Sequence, residues 1–95
     1  MAAYIIADVE ISDPEGYAGY TSQVPGTLAP FGGEFVVRGG HADVLEGGWR
    51  PKRLVVIRFP DRQHAEGWYQ SAAYQAILPI RHQHSQGSVL CVDGV

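Results

Sequence analysis

The fold is decided by seven residues in the second half of the chain, Arg53-Leu54-Val55-Val56-Ile57-Arg58-Phe59. This run is rich in β-branched and aromatic side chains, which predicts a β-strand. Because successive side chains of a strand point to opposite faces, Val55, Ile57 and Phe59 share one face. The other face is apolar as well, with Leu54 and Val56. A strand of this kind has to be covered on both sides.

Three further strands follow from the same period of two. They span residues 3–11, 34–38 and 87–92. In the strand over residues 34–38, the alternation places Phe35 and Val37 on one face and Val36 on the other. In the first, Tyr4 and Ile6 make the second face apolar too. The expected sheet is therefore apolar on both faces over much of its area.

Two helical regions lie between these strands. Asp13 is a good N-cap and Pro14 suits the first turn, which predicts a helix that Pro25-Gly26 then interrupts. Asp61 caps a second helix, and residues 74–81 predict one or two further turns. The second helix has a single apolar stripe at helical spacing, formed by Ala65, Trp68, Tyr69 and Ala72.

The elements occur in the order β-α-β-β-α-β, which is typical of the split βαβ, or ferredoxin-like, unit. We expect one α+β domain over residues 1–95, with an antiparallel sheet and two helices on one face. The chain has no spare element to cover the second apolar face, and large exposed apolar patches mark interfaces. We therefore expect a homodimer in which two sheets pack face to face. The alternative is that a few apolar side chains simply stay exposed.

Composition and charge exclude several classes of protein. The chain is 45% apolar and 18% charged, which excludes a disordered protein. A net charge of -3 without a basic run argues against nucleic acid or an anionic membrane as a partner. No apolar run approaches the roughly 20 residues of a membrane helix, and no basic segment of a secretion signal is present. The single cysteine, Cys91, suits a cytoplasmic protein and is interpreted as an inert strand residue.

Polar side chains at the ends of the predicted elements are the candidates for chemistry. Arg38, which precedes Gly39-Gly40, could bind a carboxylate or a phosphate. His41 and Glu46 are the acid–base candidates. The alternative is structural: an arginine beside a flexible hairpin, and a glutamate paired with Arg38 or Arg53.

A second group of candidates follows the second helix. Trp68, Ser71 and Tyr74 would line a pocket, and Arg81 would be a further anion anchor. An apolar pocket with a few convergent polar groups is the usual form of a small-molecule site. The expected ligand is a small, partly apolar carboxylate or oxo compound, in a binder or a cofactor-free enzyme. The alternative is a non-catalytic dimeric module in which these residues form a structural hydrogen-bond network.

Metal and cofactor sites are not predicted. His82 and His84 have the His-x-His spacing, but no cysteine or acidic cluster completes a site. The glycines do not follow a nucleotide-loop spacing, and no Ser-His-Asp spacing is recognisable. We therefore expect neither a metal ion nor a cofactor.

The candidate residues belong to a longer ordered set that runs the length of the chain. It comprises Asp13-Pro14, Tyr17, Tyr20, Gly32-Gly33, Arg38-Gly39-Gly40, Leu45-Glu46-Gly47, Arg53, Phe59, Ala65, Trp68-Tyr69, Ser71, Tyr74-Gln75, Arg81 and Val92-Asp93-Gly94. This set resembles the domain of unknown function 1330 family. The sequence departs from the family's usual pattern at Asp61, where a serine is common, and in the loop Gly48-Trp49-Arg50-Pro51.

The resemblance implies a ferredoxin-like fold of the dimeric α+β barrel type, in agreement with the two apolar faces of the sheet. The family itself is uncharacterised. Its wider superfamily includes cofactor-independent monooxygenases, isomerases, haem-degrading proteins and ligand-binding regulators. Such fold-level analogy does not assign a reaction to this chain. The departure in the loop could alter the mouth of a pocket.

Overall fold

The computed structural model describes the whole chain, Met1–Val95. The elements are β1 (Ala3–Ile11), α1 (Pro14–Thr21), α2 (Val24–Leu28), a 3₁₀ turn (Ala29–Phe31), β2 (Glu34–Arg38), β3 (Leu54–Phe59), α3 (Arg62–Gln70), α4 (Ala72–His84) and β4 (Ser85–Asp93). The four strands form one sheet in the order β2-β3-β1-β4, with every neighbouring pair antiparallel. The predicted α+β, ferredoxin-like βαββαβ fold is confirmed.

Capping side chains determine where the helices begin. The carboxylate of Asp13 accepts a hydrogen bond from the Gly16 amide at 3.3 Å, and that of Asp61 accepts one from the His64 amide at 2.8 Å. Each bond satisfies one of the amides that a helix start leaves without a partner. Both N-caps predicted from the sequence are therefore present.

Three segments differ from their predicted structure. Pro25 does not interrupt a helix but lies in the first turn of the short α2, where its missing amide proton costs no hydrogen bond. Residues 42–47, whose sequence also predicts a short strand, are part of an irregular, mostly exposed loop, because no neighbouring strand pairs with them. The helical segment around Tyr74, predicted over residues 74–81, is longer than predicted, since α4 begins at Ala72 and continues past Arg81 to His84.

A β-bulge in β2 changes which face its last residues occupy. Phe35 pairs with Ile57, whereas Val37 pairs with Val56, so the register shifts by one residue between them. Arg38 then pairs with Val55, whose side chain is buried beneath the helices. Phe35 and Val37 consequently lie on opposite faces, not on the same face as predicted. The bulge places Arg38 on the helix-covered face with Phe35.

The core lies between this face of the sheet and the helices. Its fully buried side chains include Trp68, Tyr74, Phe59 and Val9. The rings of Trp68 and Tyr74 pack with their centroids 4.1 Å apart, and those of Phe59 and Trp68 are 5.6 Å apart. Much of the core is therefore aromatic, and aromatic side chains bury a large apolar area each.

The opposite face of the sheet is not covered by any helix. Across its centre Ile6 pairs with Val56 on one side and with Leu90 on the other, and Leu90 is 53% exposed. The loop between β2 and β3 is attached to this face through Asp8. The Asp8 carboxylate accepts hydrogen bonds from the Trp49 indole and the Lys52 amide, both at 2.9 Å.

None of the helices combines the length and the apolar character needed to cross a bilayer.

Candidate functional site

A cavity of about 40 Å³ lies between the sheet and its own helices. An apolar wall surrounds most of it. This wall consists of Ile5, Ala7, Val9, Val24, Phe35, Val55, Ile57, Trp68 and Val89. The polar groups come from α1, from the two ends of the β2–β3 loop and from α4. They are Tyr17, Tyr20, Thr21, Arg38, Arg53, Tyr74 and Arg81. Cavities that bind benzene can be about 150 Å³, several times larger, so only a small end group of a ligand fits unless side chains at the mouth move.

Arg38 and Arg53 stand at the two ends of the β2–β3 loop and both face the cavity. The Arg38 guanidinium carbon lies 4.3 Å above the Phe35 ring, and its Nη2 donates to the Thr21 carbonyl oxygen at 3.4 Å. Arg53 packs against Gly39, which has a φ of +71° and would meet the arginine with any added Cβ. The loop therefore starts and ends at the cavity.

Arg81 is the buried cation of the site. The residue is only 7% exposed, and its Nε has no hydrogen-bond partner in the chain. No acidic residue lines the cavity, and none of the ion pairs of the structure includes Arg81. Its Nη2 lies 3.5 Å from His82 Nε2. A buried charge without an acidic partner is costly, and a buried polar atom such as this Nε without any partner calls for an explanation.

Two tyrosine hydroxyls meet in the same cavity. The Tyr20 and Tyr74 oxygens lie 2.8 Å apart, which joins α1 to α4. Burial raises the pKa of Tyr20, as does the neighbouring Tyr74, although the positive charge of Arg81 opposes the shift. Burial also raises the pKa of Tyr17, and the charges of Arg53 and Arg81 act against it. The phenols of Tyr17 and Tyr20 therefore stay protonated at ordinary pH.

Trp68 and Ser71 hold the aromatic wall in position. The Trp68 indole N–H donates to Thr27 Oγ1 at 3.0 Å, so this donor is already used. Ser71 does not line the cavity. Its hydroxyl donates to the Trp68 carbonyl at 2.7 Å and accepts from the Tyr74 amide at 3.2 Å, which makes it the N-cap of α4.

The structure brings together four of the seven predicted site residues: Arg38, Trp68, Tyr74 and Arg81. His41 and Glu46 lie outside the cavity in the exposed β2–β3 loop, where His41 Nε2 is 3.0 Å from Asp43 Oδ1. His84 Nδ1 is 3.3 Å from Asp13 Oδ2 at the junction of α4 and α1. No group of three or more His, Cys, Asp or Glu side chains is placed to hold a metal ion.

Sequence reasoning missed Arg53, Tyr17 and Tyr20 as lining residues. Tyr17 and Tyr20 are three positions apart, so they face the same side of a helix, and this spacing could have identified them. Arg53 directly precedes β3, and this position is a weaker indication that the residue lines the cavity.

Comparison with solved structures supports the fold. The chain is similar to a protein of unknown function from Rhodopseudomonas palustris, with 15% identity, a TM-score of 0.76, and coverage of 99% of this chain and 82% of the other. It is also similar to SnoaB, a cofactor-independent oxygenase from Streptomyces nogalater, with 10% identity, a TM-score of 0.67, and coverage of 99% and 93%. A dimeric ferredoxin-like protein of unknown function from Thermobifida fusca matches with 15% identity, a TM-score of 0.65, and coverage of 99% and 92%.

No curated protein matches the sequence at a significant level. A family model does, over residues 2–95, which is nearly the whole chain. The chain therefore belongs to the family described as a domain of unknown function (DUF1330).

Proposed function

We propose that this protein binds a small, partly apolar carboxylate or oxo compound in the cavity between its sheet and its helices. The observation that carries the proposal is Arg81, a buried guanidinium whose Nε lacks a partner and which faces a cavity without any acidic side chain. An anionic oxygen of a ligand would supply the missing partner.

The apolar wall argues for a ligand that is only partly polar. The cavity is lined mainly by aliphatic and aromatic side chains, so a strongly hydrated anion would lose much of its hydration there. A ligand with an anionic oxygen at one end and an apolar body avoids this cost. Its body would extend toward the mouth, past Arg38 and Phe35, because the cavity of about 40 Å³ accepts only the end group.

The reaction class that suits this site is cofactor-independent chemistry on an oxo compound. Positive charge in a low-dielectric site stabilises negative charge that develops on a substrate oxygen, as in an enolate. SnoaB, which shares the fold, is a cofactor-independent oxygenase. His41 and Glu46 are proposed acid–base groups only if their loop moves toward the mouth, where it is anchored by Arg38 and Arg53.

The second candidate is a non-catalytic module in which the polar residues only stabilise the fold. The Tyr20–Tyr74 hydrogen bond and the capping role of Ser71 favour it, since both connect helices without a ligand. Arg81 argues against it, because a purely structural network would give a buried guanidinium a full set of acceptors.

The protein is proposed to act as a homodimer of cytoplasmic location. The uncovered sheet face carries the apolar row Val56, Ile6 and Leu90. A second copy packed on this face would bury the row, and the similar protein from Thermobifida fusca is dimeric.

The test of binding is native mass spectrometry of the freshly purified protein, followed by thermal unfolding with benzoate and with other small carboxylates. We expect a co-purified small molecule or a rise in Tm that disappears in Arg81→Met. Arg62→Met is the matched control, since Arg62 is an exposed arginine of α3 that pairs with Asp93 and Glu66. The absence of both a co-purified molecule and a rise in Tm in the wild-type protein would favour the structural module, and an equal rise in both variants would show that binding does not use Arg81.

A further inference from the structure

We propose that the inner end of the cavity is an anion hole formed by the Arg81 guanidinium and one hydroxyl proton of the Tyr20–Tyr74 pair, and that it takes its ligand already ionised. The ligand class is a carboxylic acid or an enolisable 1,3-dicarbonyl compound, bound as its carboxylate or enolate. This inference rests on the proposed function, because it specifies the acid–base form and the orientation of a ligand in the same cavity.

Counting protons identifies the neutral donor. Two phenols carry two hydroxyl protons, and the 2.8 Å bond between Tyr20 and Tyr74 uses one of them. The hydroxyl that accepts this bond keeps its own proton, and the pair makes no other side-chain hydrogen bond. Whichever tyrosine donates, one proton of the pair stays available to a ligand.

The charged donor is the unpartnered Nε of Arg81. Arg81 and the tyrosine pair line the same cavity, and the charge of Arg81 acts on the Tyr20 hydroxyl. Two donors directed at one oxygen are the usual composition of an oxyanion hole. Trp68 cannot contribute a third donor, because its indole N–H is already bonded to Thr27.

The cavity has no group that could take a proton from a neutral acid. Its titratable side chains are arginines and tyrosines only, and no histidine or carboxylate lines it. Arginine does not lose its proton in proteins, and burial holds the phenols of Tyr17 and Tyr20 in their neutral form. A neutral acid HL therefore binds as L⁻ and its proton goes to the solvent, so that the complex carries one proton fewer than its components.

The first experiment compares two fluorinated probes of nearly equal size, trifluoroacetate and its neutral counterpart trifluoroacetamide, by ¹⁹F NMR titration. We expect trifluoroacetate to bind at least about tenfold more tightly. This preference should fall about tenfold in Arg81→Met and remain in Arg62→Met. Equal affinity for the two probes overturns the anion hole but leaves the cavity a binding site. If neither probe binds the wild-type protein, the proposed function fails as well.

The second experiment follows the ionisation of 1,1,1-trifluoroacetylacetone, a 1,3-diketone, on the protein. We expect its titration midpoint to fall by at least about one pH unit when it binds, because the hole stabilises the enolate. Calorimetry in two buffers of different ionisation enthalpy should show one proton released below the free probe's midpoint. An unchanged or raised midpoint, or a complex that retains the proton, overturns the inference.

The tyrosine contribution is tested separately in a doubly substituted protein, Tyr20→Phe with Tyr74→Phe, which keeps both rings. We expect its preference for trifluoroacetate over trifluoroacetamide to fall about tenfold, since the neutral donor is lost. This variant also serves if Arg81→Met does not fold. A preference equal to that of the wild-type protein removes the tyrosines from the hole.

Discussion

The imidazole ring of His84 lies directly over Gly16, so that a Cβ added to Gly16 would fall 2.5 Å from the ring atoms Cε1 and Nδ1. The same ring is 3.3 Å from the Asp13 carboxylate, and the His84 carbonyl accepts the Ser12 amide at 2.9 Å. The end of α4 is thereby fixed to the start of α1. Any side chain at position 16 would displace the His84 ring from this junction.

Gly16→Ala should destabilise the protein by about 1–2 kcal/mol. The new methyl group displaces the His84 ring, and this overlap outweighs the gain of up to ~1 kcal/mol that alanine brings to a helix. Gly19→Ala is the control in the same helix, since its nearest neighbour would be an ordinary contact at 4.0 Å from Ile80. Gly19→Ala should stabilise the protein by about 0.5–1 kcal/mol. Urea unfolding measures the change in the free energy of unfolding in both variants. A similar loss of stability in both would contradict the expected overlap with His84.

Tyr20→Phe should cost about 1–3 kcal/mol, because it leaves the buried Tyr74 hydroxyl without its partner. Removing both hydroxyls should cost less than the sum of the two single changes, since no unpaired group then remains. Urea unfolding of the two single variants and the double variant measures this coupling. Tyr69→Phe is the control, because Tyr69 packs against Tyr74 with ring centroids 5.5 Å apart but is not part of the pair. Additive losses would show that the two hydroxyls act independently.

The elements of the fold could be predicted because their signals are local. Alternating apolar residues define the strands, and Asp13 and Asp61 define the helix starts, so these features depend on neighbours in sequence. The bulge at Val36 could not be predicted. It is a property of the pairing between β2 and β3, and the uninterrupted apolar run Phe35-Val36-Val37 gives no sign of it.

The candidate site was partly predictable for the same reason. Trp68 and Tyr74 are aromatic residues on or beside a clear apolar stripe, so their place under the sheet follows from helix periodicity. Arg81 was predicted as an anion anchor, but its near-complete burial could not be predicted, because arginine is usually exposed. Ser71 was predicted as a lining residue because it neighbours the aromatics, whereas its hydroxyl is used in capping.

The attachment of the β2–β3 loop should be sensitive to acid. Hydrogen bonds from the Trp49 indole and from the Lys52 amide hold the pKa of Asp8 below its usual value of 3.8. A carboxylate with a lowered folded-state pKa stabilises the structure above the unfolded value, and this contribution is lost as pH falls through the folded-state pKa. The loop should therefore stay attached at neutral pH and detach only below about pH 4.

The two tryptophan indole signals in ¹H–¹⁵N NMR spectra measure this directly. The Trp49 signal should shift with a midpoint below the usual range of aspartate, whereas that of the buried Trp68 should not follow it. In Asp8→Asn the low-pH midpoint of Trp49 should be absent. A Trp49 signal that stays constant until the whole protein unfolds would contradict this role of Asp8.

Ile6→Asp should convert the proposed dimer into a monomer. Ile6 stands in the central strand of the uncovered face, between Val56 and Leu90, where a second copy would bury it. A buried carboxylate without a partner costs several kcal/mol, which corresponds to dissociation at least about 100-fold easier. Gln63→Asp adds the same charge to exposed α3 and should leave the dimer intact. Light scattering at micromolar concentration distinguishes the states, and a monomeric wild-type protein or a dimeric Ile6→Asp variant would refute packing through this face.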